Sequence, residues 1–188
     1  AFERIKIFHP KNPLAAKALL QASINFEKAN DKENAKKTLK SLFAEYPAYE
    51  NVPHAHLRLG TLYLQEEKFD LAKNEFLAAK EQGKNSEIET QSLLQLGILS
   101  ERFGKLFEAE QYYRSIINNK KTSSSLKRET QLQLSQLLLS VGNDNDAEKL
   151  LNDVIIDSSK LSVQIQQRVF FELGNLAFKK QELKKSIS

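Results

Sequence analysis

Apolar residues along this 188-residue chain fall in short stripes of helical spacing that stop and restart. In LGTLYLQEEKFDLAKNEF, residues 59–76, one stripe holds Leu59, Gly60 and Tyr63 and a second holds Ala72 and Phe76, with a polar stretch around Glu67 and Lys68 between them. Two amphipathic helices joined by a turn give such intervals, whereas a strand would alternate at every second residue. β-branched alternation is missing, and the four Pro and six Gly fall mostly between periodic segments. The pattern predicts an all-α chain.

The stripes repeat. Residues 57–79 superpose on 94–116 at an offset of 37, placing Leu59 on Leu96, Gly60 on Gly97, Ala72 on Ala109 and Phe76 on Tyr113. The same frame falls on 132–154 with Ser135, Ala147 and Leu151, and on 20–42 with Ser23, Ala35 and Leu39. Four repeats are expected at about 14–49, 50–86, 87–123 and 124–161, within a single helical-repeat domain over 1–188. FERIKIFHP (2–10) matches LKSLFAEYP (39–47), so 1–13 reads as the second helix of an earlier repeat. FFELGNLAFKKQELKKS (170–186) opens a further one with Leu173 and Gly174, so 162–188 reads as a partial repeat that stops soon after its second helix should start. With Ala at residue 1 and no Met, the chain is expected to be a piece of a longer product.

A helix pair this small buries its apolar faces only when neighbours stack on it, so the repeats are expected to form a solenoid. Gly60 and Ala72 are expected to face each other across the pair, with Leu59, Tyr63 and Phe76 around them. Asn30-Asp31, Gly104 and Gly142-Asn143-Asp144 mark the turn within a repeat, while Gly83 and a capping box from Ser86 to Glu89 mark the passage between the second and third.

A small residue at the eighth position of a unit, an aromatic or apolar residue at the eleventh and twenty-fourth, Ala at the twentieth and Pro near the thirty-second resemble the tetratricopeptide repeat. Ala35, Ala72, Ala109 and Ala147 fill the twentieth position without exception; the frequent fourth-position tryptophan is replaced by Leu19, His56, Leu93 and Gln131. The resemblance implies a right-handed α-solenoid of stacked antiparallel helix pairs. The longer period and the YPAYENVPHAHLRLG bridge (46–60) look like the subset in bacterial envelope lipoproteins and periplasmic assembly factors, which implies a periplasmic or envelope location.

Composition changes this picture little. The excess of four positive charges is mainly Lys, interspersed with Asp and Glu, which reads as a solvated face and argues against a nucleic-acid or anionic-membrane footprint. No run nears the roughly 18 apolar residues of a membrane-spanning helix, so direct membrane insertion is not expected. Without Cys there are no disulfides, thiolate nucleophiles or sulfur-ligated metals.

Candidate chemistry is sparse. His54 and His56 are two apart and point to different faces, and His9 belongs to another unit, so no metal site is expected and the histidines read as surface or interhelical. Glu66, Glu67, Glu108 and Glu110 flank turns as a solubilising face. Ser123, Ser124 and Ser125 read as a helix cap rather than a nucleophile, and no phosphate loop or dinucleotide fingerprint is present. Neither a cofactor nor an active site is expected.

The family resemblance implies a concave groove lined by the first helices, with the second, fifth, ninth and twelfth positions facing a bound peptide. The fifth position gives Leu20, Leu57, Leu94, Leu132 and Phe171, an apolar row that faces either a ligand or the neighbouring first helices. Ile24, Thr61, Ile98, Gln136 and Asn175 hold the ninth, and Leu64, Leu139 and Phe178, interleaved with Glu27 and Glu101, the twelfth. Lys at the fifth position would make the carboxylate clamp of cochaperone members, and Leu or Phe there argues that clamp away. The expected function is a non-enzymatic scaffold whose groove takes an apolar or amphipathic protein segment, in assembly of an envelope-associated complex. The alternative is a regulatory or substrate-positioning module of a larger enzyme. Self-association through exposed repeat ends is a further expectation.

Overall fold

The computed structural model describes residues 13–156 and 162–187, with side chains as far as 181, so the reading of 2–10 as a helix of an earlier repeat lies outside the described residues. The regular elements among them are α-helices: α1 (Pro13–Lys28), α2 (Lys32–Glu45), α3 (Val52–Gln65), α4 (Phe69–Gln82), α5 (Glu87–Arg102), α6 (Leu106–Asn118), α7 (Ser124–Ser140), α8 (Asp144–Ile155) and α9 (Val163–Ile187). The fold is an all-α solenoid of helix pairs. The described residues fall into two compact units, divided between Leu96 and Gly97. In the first, α1 packs on α2, α2 on α3 and α3 on α4; in the second, α6 packs on α7, α7 on α8 and α8 on α9.

The turn inside each pair is one motif used four times. Asn30, Glu67, Gly104 and Gly142 adopt left-handed backbone conformations with φ of 59°, 57°, 68° and 78°. In each turn the following amide bonds five residues back, as in Asp31 N–H to the Phe26 carbonyl (2.8 Å) and Lys105 N–H to the Ser100 carbonyl (2.9 Å). The left-handed residue's own amide bonds three back, as in Gly104 N–H to the Glu101 carbonyl (2.9 Å). Together these bonds form the Schellman helix end, which satisfies carbonyls that a helix terminus otherwise orphans. The next helix is then capped by side chains at Asp31 (from Asn34 N–H, 3.2 Å) and Asn143 (from Asp146 N–H, 3.4 Å).

The passage between α4 and α5 departs from a standard capping box. Ser86 Oγ accepts from Ile88 N–H (3.2 Å), but the Glu89 carboxylate takes the amide of Asn85 (2.7 Å) instead of that of Ser86. Asn85 is itself left-handed, at φ 62°, and this turn of the backbone carries its amide to the carboxylate.

All four alanines at the twentieth position are fully buried. The space beside them is divided differently from the sequence expectation. A Cβ built on Gly60 would lie 2.5 Å from the Phe76 ring, so the glycine makes room first of all for Phe76. Gly97 stands in the same relation to Tyr113. In the first and fourth repeats Ser23 and Ser135 replace the glycine, and Leu39 and Leu151 replace the aromatic ring. Both serines are buried and donate to the carbonyls of Leu20 (2.7 Å) and Leu132 (2.8 Å), which satisfies their hydroxyls. The larger small residue thus goes with the smaller large one, which keeps the seam filled.

The last helix corrects the sequence reading. α9 runs without interruption over 25 residues, across the position where the earlier repeats turn. Lys179, Lys180 and Gln181 occupy that position, where the earlier repeats have Asn30, Glu67, Gly104 or Gly142. A Cβ added at Gly174 would meet nothing within 4 Å.

Candidate interaction surface

The fifth-position row is mostly interior. Leu20 and Leu57 in the first unit and Leu132 in the second are buried, and Leu94 is half-buried. Leu132 packs in one cluster with Leu151, Val154, Val169 and Leu176, against which Leu139 also rests. Their reading as a ligand-facing row gives way to packing between helices; Phe171 alone of the five is exposed, at 66%. At the ninth and twelfth positions Ile24, Leu64 and Gln136 are half-buried, while Thr61, Ile98, Asn175 and Phe178 are exposed.

In the first unit these side chains surround a joint between α1 and α3. Arg58 Nε and Nη2 donate to Glu27 Oε1 (2.9 Å) and Oε2 (2.8 Å), a bidentate pair with both partners about three-quarters covered. Ile24 lies one helical turn before Glu27, and Thr61 one turn after Arg58, its hydroxyl donating to the Leu57 carbonyl (3.0 Å). Burial, with the Arg58 guanidinium nearby, holds His54 below the usual imidazole range. In the second unit α7 and α9 are joined by Gln136 Nε2 donating to Glu172 (3.1 Å) and by Arg168 donating to Gln136 Oε1 (3.1 Å). Tyr113 donates to the twelfth-position Glu101 (2.9 Å), and its burial pushes the phenol far above its ordinary range, so it serves as a neutral donor.

A second set of pairs links a second helix to the next first helix at two junctions, α2–α3 and α8–α9. Lys36 on α2 is buried and bonds Glu66 at the end of α3, along with Glu33 (2.6 Å). Burial draws the Lys36 pKa down, but the hydrogen bonds to Glu33 and Glu66 outweigh it and leave it raised; the bond from Lys36, then that from Lys68, holds Glu66 below the usual carboxylate range. In the second unit Glu148 of α8 pairs with Lys180 of α9 at the same two repeat positions with the charges exchanged, beside Lys179–Asp144 (2.6 Å).

Of the two readings open in the sequence, surface or interhelical, His56 is interhelical. Its ring stacks on Phe43 at 4.0 Å between centroids and 14° between planes, and Nδ1 meets Glu75 Oε2 at 2.6 Å. Ser123 caps α7 by accepting from Leu126 N–H (3.3 Å). Among the described residues no three His, Cys, Asp or Glu converge on a metal-sized site, and no helix is long and apolar enough to cross a membrane. Arg58 and Lys36 were missed as joint residues because a pairing between repeats depends on register, which charge patterning along one helix does not show.

Residues 17–49 match the family model of the tetratricopeptide repeat. The fold is that of tetratricopeptide-repeat proteins. BtubC (BKLC) from P. vanneervenii is similar at TM-score 0.69 and 15% identity over 81% of this chain and 67% of its own. A tetratricopeptide repeat protein from Parabacteroides merdae matches at TM-score 0.69 and 20% identity over 85% of this chain, which spans 60% of that protein's length. A Podosopora anserina protein of nearly identical TPR-like repeats gives TM-score 0.69 and 14% identity over 93% of this chain and 92% of its own. No curated protein sequence matches the chain.

Proposed function

We propose that this tetratricopeptide-type chain is a non-enzymatic scaffold that binds an amphipathic protein segment on the face shared by its first helices α1 and α3. The observation that carries the reading is the α1–α3 joint: half-buried Ile24 and Leu64 sit on the same helices as the Glu27–Arg58 pair and the exposed Thr61, so apolar contact and hydrogen-bonding groups alternate there. Such a mixture suits a helix or extended peptide with one apolar side. Membership of an envelope-associated assembly belongs to the same proposal; the Tyr46-Pro47 bridge supports it, and fractionation of cells producing the full-length product tests it.

Replacing the half-covered Ile24 and Leu64 with Glu spares the buried leucines. The Ile24→Glu/Leu64→Glu protein is expected to keep wild-type helicity by circular dichroism and to lose the protein partner that the wild type captures from its source cells. Retention of that partner at unchanged affinity would overturn the reading.

A further inference from the structure

Lysines that look evenly spread along the sequence converge in the first unit. Lys36, Lys37 and Lys40 of α2 and Lys68 at the start of α4 line a cleft of about 640 Å³ on the second-helix side, against two glutamates, Glu33 and Glu45. Lys36 and Lys68 are engaged by Glu66. Lys37 and Lys40 are exposed, and neither has an ion-pair partner among the described residues. Lys40 instead holds its ammonium 5.8 Å from the centre of the Tyr63 ring.

No later repeat carries both of these charges. Lys37 and Lys40 are replaced by Asn74 and Leu77, then by Gln111 and Arg114, then by Lys149 and Asn152, so the cleft belongs to the first repeat pair. Its wall is not purely polar, since Leu71 is 46% exposed there and Ala44 is exposed beside it.

We infer that this cleft docks an acidic peptide segment in which Asp or Glu flank an apolar side chain, the carboxylates meeting Lys37 and Lys40 and the apolar group covering Leu71. Lys37 and Lys40 are one helical turn apart, about 5 Å along the axis, a spacing that neighbouring carboxylates on a peptide match. Glu66 already shows that carboxylates are held here, bonded by both Lys36 and Lys68. Nucleic acid fits less well: the cleft has no Arg and its one aromatic ring, Tyr63, is buried. The surface is separate from the first-helix face, so the Ile24→Glu/Leu64→Glu protein retains it and the two readings fail independently.

The test is fluorescence anisotropy with the full chain and a fluorescein-labelled peptide of repeating Glu-Leu-Asp, at low and physiological salt. Lys37→Glu/Lys40→Glu is expected to weaken binding about tenfold or more, while Lys120→Glu/Lys121→Glu, on exposed lysines after α6, changes it little. Leu71→Ser is expected to weaken that peptide but not one of repeating Glu-Ser-Asp. The proposal is overturned if Lys37→Glu/Lys40→Glu has no effect, if both lysine pairs matter equally, or if labelled oligothymidine binds more tightly than the peptide. Circular dichroism of each variant separates loss of binding from loss of fold.

Discussion

The Phe76 ring occupies the place where a side chain on Gly60 would begin, 2.5 Å from that Cβ position, and Phe76 is fully buried. Gly60→Ala therefore has to displace a ring that has nowhere to go, at an expected cost of about 1–3 kcal/mol in chemical denaturation. Phe76→Leu alone leaves space and is expected to cost about 1–2 kcal/mol. Combining Gly60→Ser with Phe76→Leu reproduces the Ser–Leu combination of the first and fourth repeats. The double variant is expected to be more stable than the sum of the single changes allows, and strict additivity would refute the seam.

Gly104 and Gly142 test backbone conformation alone. Both have φ near +70°, at 68° and 78°, and an added Cβ would meet nothing within 4 Å at either. Gly104→Ala and Gly142→Ala are each expected to lower unfolding free energy by about 1 kcal/mol, through the left-handed conformation rather than any clash. An Asn at either place should recover part of the loss, as Asn30 occupies the same conformation in the first repeat.

The Lys36–Glu66 pair sets a pH dependence. Glu66 is depressed, chiefly by its bond from Lys36, so its contribution is present above the ordinary carboxylate range and is lost as pH falls through the lowered value. Lys36 is raised on balance, so its contribution is present below its ordinary value of 10.5 and is lost as pH rises through the raised one. Denaturation midpoints of the wild type should fall on the acid side more steeply than those of Lys36→Met. At neutral pH that variant is expected to lose about 1.5–3 kcal/mol, the scale of a hydrogen bond to a charged group.

The turns and the alanine seam were legible in the sequence because each has one steric solution. Asn30, Gly104 and Gly142 announce a left-handed residue, and Ala35, Ala72, Ala109 and Ala147 announce close helix approach. Glu67 takes the same left-handed conformation with no such signal; only its place in the repeat frame betrays it. The partner of Gly60 was not legible, because periodicity marks small positions without saying which large side chain fills them. The fifth-position leucines were equally ambiguous, since a leucine that touches a ligand and one that touches the next helix have the same chemistry. At α9 the repeat frame through Leu173 and Gly174 leads to a turn around 179–181, where the helix instead continues, and nothing in those residues separates them from Glu66-Glu67-Lys68, which do turn.

The exchanged charges of Lys36–Glu66 and Glu148–Lys180 also make the repeats non-interchangeable. A deletion that brought α9 directly after α2 would set Lys36 against Lys180, and a permutation that placed α3 after α8 would set Glu148 against Glu66. Correct neighbours attract where wrong neighbours repel, so the order in which the helices stack is written in the polarity of their joints as well as in the chain that connects them.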